Sequence, residues 1–335
     1  MPLATDSLRP AALDSFIGQE RLKNVLSIAI SGAKARHEGV RHSLFVGPPG
    51  LGKTTLANII AAETNQPLIT CSGTAVTKIT SLATLLNQIP NDGAVLFCDE
   101  IHRLPRTIEE ALYSVMEDFR LDVTTDKLHI NMRLPKFTLV GATTRQGLIT
   151  KPLQDRFGST YHLSFYSLDE LVKVVQRSAA ILKLEISREA AAGIAQRAKR
   201  TPRIANNLLL QARDFALSYN IDQINEAVIL GMMDMIEIDS IGLTRMDRLL
   251  LTTIIDKFNG GPVGLGTLAT MMAEEVDVIE RVYEPYMLQE HLIERTPKGR
   301  IVTDRCYAHL GLKPQATPIT LANAVLVDDD QPALG

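Results

Sequence analysis

The chain predicts an α/β domain built on a parallel sheet, then a small helical domain, then a compact unit of three helices and a β-hairpin. Three observations carry this. Short, nearly charge-free apolar runs alternate with helical periodicity through the first half. Strand signals cease after Ser167. A Gly260-Gly261-Pro262 break and a late hairpin pattern mark the last unit.

Ser43–Val46, Ala94–Cys98 and Phe137–Ala142 are brief, β-rich and uncharged, as parallel strands covered on both faces must be. Around them Gln19–Ala35, Thr54–Glu63 and Thr107–Asp118 place apolar residues at i, i+3 and i+4, the stripe of a helix packed on a sheet. Leu168–Leu182, Ser187–Arg200, Pro202–Tyr219 and Asp222–Met233 then read as four helices. Ser167 ahead of Asp169 and Glu170, and Ser187 ahead of Glu189, give N-caps with acidic first turns. Arg245–Phe258, Leu265–Met271 and Val276–Glu290 are the helices of the third unit. Leu292–Arg295 and Arg300–Thr303, joined by Thr296-Pro297-Lys298-Gly299, complete a winged-helix outline. The expected domains are therefore 1–166, 167–238 and 239–313. A segment at 314–335 without periodicity, ending its charged run at Asp328-Asp329-Asp330, is expected to be a mobile tail.

Composition excludes several classes. Among 335 residues, 45% are hydrophobic and 22% charged, so extensive disorder is out. Lys and Arg number 35 against 38 Asp and Glu, a net charge of −3, so nucleic acid can be held only by local patches. Aromatics are 5% with no Trp, which argues against base-stacking platforms. Cys71, Cys98 and Cys306 are far apart, with no CxxC, as free thiols in a reducing compartment would be. No signal-peptide pattern and no run of 18 apolar residues is present, so the expected location is cytoplasmic.

Gly47-Pro48-Pro49-Gly50-Leu51-Gly52-Lys53-Thr54-Thr55 fits GxxxxGK[ST], with a predicted strand before it and a helix after it. Gly50 and Gly52 let backbone N–H groups close on phosphate at a helix N-terminus, and Lys53 reaches the β/γ-phosphates. The Thr54 hydroxyl suits a Mg²⁺ shell, with Thr55 following on the same turn. Asp99 and Glu100 end an apolar strand; Asp99 suits the same metal shell, and Glu100 suits a base that polarises water. Together these residues predict ATP hydrolysis with Mg²⁺. Thr143 and Thr144 end another buried strand and could orient the lytic water or sense the γ-phosphate. Arg156, near a domain edge, could stabilise transition-state charge in a neighbouring subunit. Arg203 occupies the first turn of a helix, where a cation opposes the dipole and suggests a bound phosphate or a salt bridge. In the third unit Arg295, Lys298, Arg300 and Arg305 focus positive charge on the hairpin. Residues 239–305 overall hold eight Lys and Arg against eleven Asp and Glu, so only the wing could follow DNA phosphates.

The strings GPPGLGKTTLANIIA, LFCDEIHRLPR, FTLVGATTRQGLIT, LQDRFG, TPRIANNLL, GGPVGLGTLA, YEPYMLQ and RTPKGR occur in this order. From Leu8 to Gly311 the chain thereby resembles the RuvB family of bacterial Holliday-junction branch-migration motors. The resemblance implies a hexameric AAA+ P-loop ATPase with a helical lid and a winged-helix head, pumping duplex DNA beside RuvA and RuvC. It also implies adenine-pocket roles for Leu8, Arg9 and Tyr166, sensor roles for Thr144 and Arg203, and a trans-acting arginine finger at Arg156. Glu117, Asp118 and Phe119 match positions that touch nucleotide, and Arg295 and Arg300 match DNA-contacting wing positions, with Lys298 between them replacing an arginine. Three further departures stand out, one of them Gln154 in place of an arginine common in the family. Val123–Arg133 is a shorter hairpin than the family's usual RuvA-gripping one, and Val276 stands where a DNA-contacting arginine is common. A loader-type AAA+ ATPase without sustained translocation, or a non-motor assembly scaffold, are the alternative readings.

Overall fold

The computed structural model describes residues 7–125 and 128–313; the expected tail at 314–335 and the residues before Ser7 lie outside the described residues. The chain divides into two compact units, up to Thr244 and from Arg245.

The first unit opens with α1 (Glu20–Arg36), β1 (Ser43–Val46), α2 (Lys53–Glu63), β2 (Leu68–Ser72), α3 (Ile79–Leu86) and β3 (Val95–Asp99). It continues through α4 (Arg106–Glu117), an antiparallel hairpin of β4 (Arg120–Thr125) and β5 (Leu128–Arg133), β6 (Thr138–Thr143), α5 (Lys151–Arg156) and β7 (Ser159–His162). Five of these strands form one sheet in the order β2-β3-β6-β1-β7, with every neighbouring pair parallel. Alternate side chains enter two separate cores, because a strand's period is two and both faces are covered. Phe45, Val95, Phe97 and Val140 pack into one core; Leu44, Leu96, Cys98 and Leu139 pack into the other. Each fully buried Leu or Phe contributes about 1.5–3 kcal/mol of burial. Because β3, β6 and β1 are adjacent, their carboxyl ends deliver the loops after Val46, Asp99 and Thr143 to one edge of the sheet. That edge is where open α/β sheets bind ligands.

The first core continues without a break into a helical subdomain: α6 (Leu168–Ile181), α7 (Arg188–Arg197), α8 (Pro202–Ser218) and α9 (Glu226–Met235). Ser167 caps α6 with a reciprocal capping box to Glu170, and the Ser187 hydroxyl accepts from the Ala190 N–H at the start of α7. Two short strands missed by the helical pattern, β8 (Glu185–Ile186) and β9 (Gln223–Ile224), pair in parallel here. They delay α9, expected from Asp222, until Asn225 caps it.

The second unit holds α10 (Arg245–Phe258), α11 (Leu265–Met272), α12 (Val276–Val278), a π-helical stretch (Ile279–Tyr283), α13 (Glu284–Gln289), β10 (Ile293–Thr296), β11 (Gly299–Val302) and α14 (Asp304–His309). The single helix expected over Val276–Glu290 is thus broken by a π turn. Pro285, at the start of α13, offers no N–H and crowds the carbonyl a turn earlier, so the ladder widens just ahead of it. Hairpin β10–β11 is the wing, with Arg295 directly opposite Arg300. Among the described residues no helix is long and apolar enough to cross a membrane, and the three cysteines are free thiols.

Candidate active site and nucleic-acid face

A cavity of about 580 Å³ opens at the carboxyl edge of the sheet, under α6 and α8. Its lining brings together twelve of the predicted residues: Leu8, Arg9, Gly50, Gly52, Lys53, Thr54, Thr55, Asp99, Glu100, Thr144, Tyr166 and Arg203. Gly52 caps α2 at φ 102, a conformation that favours glycine, and a Cβ there would press on the Phe16 ring at 3.0 Å. Gly50, at φ 81, passes so close to α8 that a Cβ would lie 3.3 Å from the Cβ of Arg203. The first turn of α2 has neither a side-chain cap nor an acidic residue. Its amide donors and dipole therefore favour an anion.

Lys53 is buried and donates to the carbonyls of Gly47 and Pro48 at 2.7 and 2.8 Å. Burial brings its pKa down to about 8; Asp99 and Glu100 oppose that shift, and Arg203 adds to it. Two cations, Lys53 and Arg203, thus line the one cavity. Asp99 accepts the Glu100 N–H at 2.9 Å. Glu100 itself has φ 47, left-handed for a non-glycine residue, and such strain is held where a side chain must be aimed. The hydroxyl of Thr54 and the carboxylate of Asp99 are hard oxygen donors in the lining of the same cavity, a set that suits Mg²⁺. Among the described residues no three Asp, Glu, His or Cys cluster into an all-protein metal cage.

The two threonines at the end of β6 divide their work. Thr143 is buried, its hydroxyl 2.9 Å from His102 Nδ1 and accepting the Arg145 N–H at 2.9 Å. Thr144 Oγ1 is buried without a hydrogen-bond partner among the described residues, on the cavity wall. Sequence reasoning missed Phe16, Val174, Arg177, Asn206 and Asn207, which also line the cavity. The Asn pair lay within the TPRIANNLL string; Arg177, which donates to the Leu8 carbonyl at 3.1 Å, had no local signal.

Arg156, Glu117, Asp118 and Phe119 do not line this cavity. Glu117 ends α4 and lies 3.2 Å from Arg156 Nε at the end of α5. Phe119 packs its ring against Phe137 and His42. On the wing, Lys298 is exposed and the Arg295 side chain is half exposed, whereas Arg300 is only 17% exposed. Arg300 is turned inward, onto Glu284. Its charge is therefore less open to solvent than that of Arg295 or Lys298.

The sheet order, phosphate loop, paired acids and helical lid, with a winged helix in the second unit, define an AAA+ P-loop ATPase with a winged-helix head. Family models match three consecutive stretches: the Holliday junction DNA helicase RuvB P-loop domain over residues 8–163, the RuvB AAA lid domain over 166–239, and the RuvB C-terminal winged helix domain over 240–311. The Holliday junction branch migration complex subunit RuvB of Chloroflexus aggregans is 48% identical over 334 residues, covering 98% of this chain and 93% of that protein. Its counterpart from Chloroflexus aurantiacus is 50% identical over 311 residues, covering 91% and 88%. The solved Thermotoga maritima RuvB Holliday junction branch migration motor superimposes with a TM-score of 0.85 at 45% identity, covering 92% of this chain and 99% of that one. The chain belongs to the RuvB family.

Proposed function

We propose that this chain is the ATP-driven motor of Holliday-junction branch migration in recombination and repair, working as a homohexameric ring that pumps duplex DNA. The convergence of Lys53, Asp99, Glu100, Thr144 and Arg203 on one cavity, in a chain of this family, carries the reading. The division into an ATPase domain (1–166), a lid (167–238) and a winged-helix head (239–313) accompanies it, as does cytoplasmic location. Leu8, Arg9 and Tyr166 take the adenine side. Lys53 and Arg203 neutralise the phosphates, with the amides of Gly50, Gly52, Thr54 and Thr55 beneath them. Thr54 and Asp99 hold Mg²⁺, which supplies charge neutralisation at the β/γ-phosphates when bound. Glu100 polarises the attacking water, and Thr144 positions it.

Arg156 acts in the neighbouring subunit's site, with Glu117, Asp118 and Phe119 on the same edge. Supporting this, all four lie together and outside the chain's own cavity. Arg295 and Lys298 carry the wing's contact with the DNA backbone. RuvA and RuvC are the partners the family implies, with the β4–β5 hairpin as the RuvA-facing element.

The test measures ATP hydrolysis and migration of a synthetic four-way junction together, with and without a RuvA protein. Migration that needs ATP and is abolished by Glu100→Gln supports the motor. Hydrolysis without migration under either condition overturns it in favour of a loader.

A further inference from the structure

The two wing arginines form a cross-strand pair, Arg295 on β10 facing Arg300 on β11, and like charges in that relation destabilise a hairpin. Between them sits the carboxylate of Glu284, the first residue of α13, only 1% exposed. Arg295 donates from Nε to Oε1 at 3.0 Å and from Nη2 to Oε2 at 2.9 Å. Arg300 donates from Nε to the same Oε1 at 2.8 Å and from Nη2 to Oε2 at 3.2 Å. Burial alone would push the Glu284 carboxyl up; its hydrogen bonds with Arg300 and Arg295 override that and hold it below the usual carboxylate range. The two arginines differ in what remains outside. The Arg295 side chain is 50% exposed and that of Arg300 17%. The neighbouring Arg305 is also engaged, 2.8 Å from Glu290.

The helix leading into Glu284 offers DNA little else. Glu274, Glu275, Asp277 and Glu280 precede or occupy α12 and the π turn, and Arg281 within it pairs with Asp277 at 2.9 Å. The wing is therefore the part of this unit whose outward charge suits a phosphate backbone.

We propose that Glu284 is a positioning residue for DNA binding: it locks the wing by clamping Arg300 as an internal strut and aims Arg295, with Lys298, at the phosphate backbone. This rests on the wing being the DNA contact. A buried carboxylate that subtracts charge from a DNA-binding face then strengthens binding, because without it two unneutralised guanidiniums face each other across the hairpin.

The experiment measures binding of the full chain to a labelled duplex over a range of salt concentrations for Glu284→Gln, Arg295→Met, Arg300→Met and Lys298→Met, with thermal unfolding of each. Glu284→Gln adds one net positive charge, so charge counting alone makes it bind more tightly; the proposal expects binding weakened about tenfold. Arg295→Met is expected to weaken binding and to reduce the salt slope by ~0.9, one phosphate contact. Arg300→Met is expected to lower the unfolding temperature and leave the slope unchanged. Unchanged or tighter binding by Glu284→Gln overturns the proposal. So does a slope for Arg300→Met reduced as far as that of Arg295→Met, and this comparison decides even where Glu284→Gln does not fold. If Arg295→Met and Lys298→Met both leave affinity and slope unaltered, it is the wing reading itself that fails.

Discussion

Arg156 lies over the ring of Tyr113, its guanidinium carbon 4.3 Å from the ring centroid. Its Nη1 donates to the Pro152 carbonyl at 2.8 Å, and the Tyr113 hydroxyl is itself anchored 3.0 Å from Thr150 Oγ1. Stacking, a carboxylate and a carbonyl hold the guanidinium at the α4–α5 edge, the edge that the proposed ring would present to a neighbouring subunit. Arg156→Ala should lower ATP turnover by ~10³–10⁵, the usual worth of an arginine finger. Glu100→Gln should be inactive for a separate reason. Mixing the two variants should restore activity at roughly a quarter of the interfaces of a randomly mixed ring, those pairing an intact Glu100 with an intact Arg156. If steady-state hydrolysis of the mixture merely averages the two inactive proteins, Arg156 does not act across subunits.

Lys53 gives a proton signature. With its pKa brought down to about 8 chiefly by burial, it is about half protonated at pH 8 before nucleotide binds. Phosphates close to its Nζ favour the charged form and raise that value. Nucleotide binding at pH 8 should therefore take up about half a proton, and much less at pH 7. Calorimetric titrations in buffers of differing ionisation enthalpy measure the uptake directly. Lys53→Met should lose it along with most of the affinity, and a wild-type titration at pH 8 without proton uptake would contradict the assignment.

Thr144 presents a buried hydroxyl on the cavity wall with no hydrogen-bond partner among the described residues. Thr144→Val keeps the shape and removes the oxygen. An unsatisfied buried hydroxyl contributes nothing to folding, so the unfolding temperature should stay level or rise slightly. Turnover should fall by about 10²-fold, on the scale of losing one preorganised polar contact in the transition state. Nucleotide affinity should change little. A variant that hydrolyses ATP at the wild-type rate would remove Thr144 from the chemistry and leave its hydroxyl unexplained.

Legibility in the sequence tracked burial. β1, β3 and β6 are buried on both faces and read as continuous apolar runs, so their positions were predictable to within a residue. β2 lies at one edge of the sheet with its residues half-buried, and β7 closes the other edge. Leu68–Ser72 and Ser159–His162 consequently carry the polar residues that edges tolerate, and no strand pattern stands out. The phosphate loop, Asp99, Glu100 and Thr144 were legible because each follows a central strand whose end is fixed by topology. Arg177 was not, since it enters the cavity from the middle of α6 and only tertiary packing takes it there. The inward turn of Arg300 was equally invisible. Its partner Glu284 is distant in sequence and sits in a helix whose π turn no periodicity announces.

His42 makes the stability of the sheet depend on pH. Its Nδ1 accepts the Leu139 N–H at 2.8 Å, and its Nε2 donates to the Met116 carbonyl 3.0 Å away. Only the neutral ring with a proton on Nε2 can do both. The ring lies against Phe119 and Phe137, and burial lowers its pKa below 6.5 despite the contrary pull of the Met116 carbonyl. The unfolded chain therefore takes up the proton first as pH falls. His42 contributes its full stability above about pH 6.5 and loses it as pH drops towards the lower folded value. His42→Gln can present an acceptor and a donor without titrating. Unfolding free energies from denaturant titrations at pH 7.5 and pH 5.5 should fall more steeply for wild type than for His42→Gln. Equal pH dependence in the two proteins would mean that this histidine, though half-buried between β6 and the end of α4, does not control the acid sensitivity of the fold.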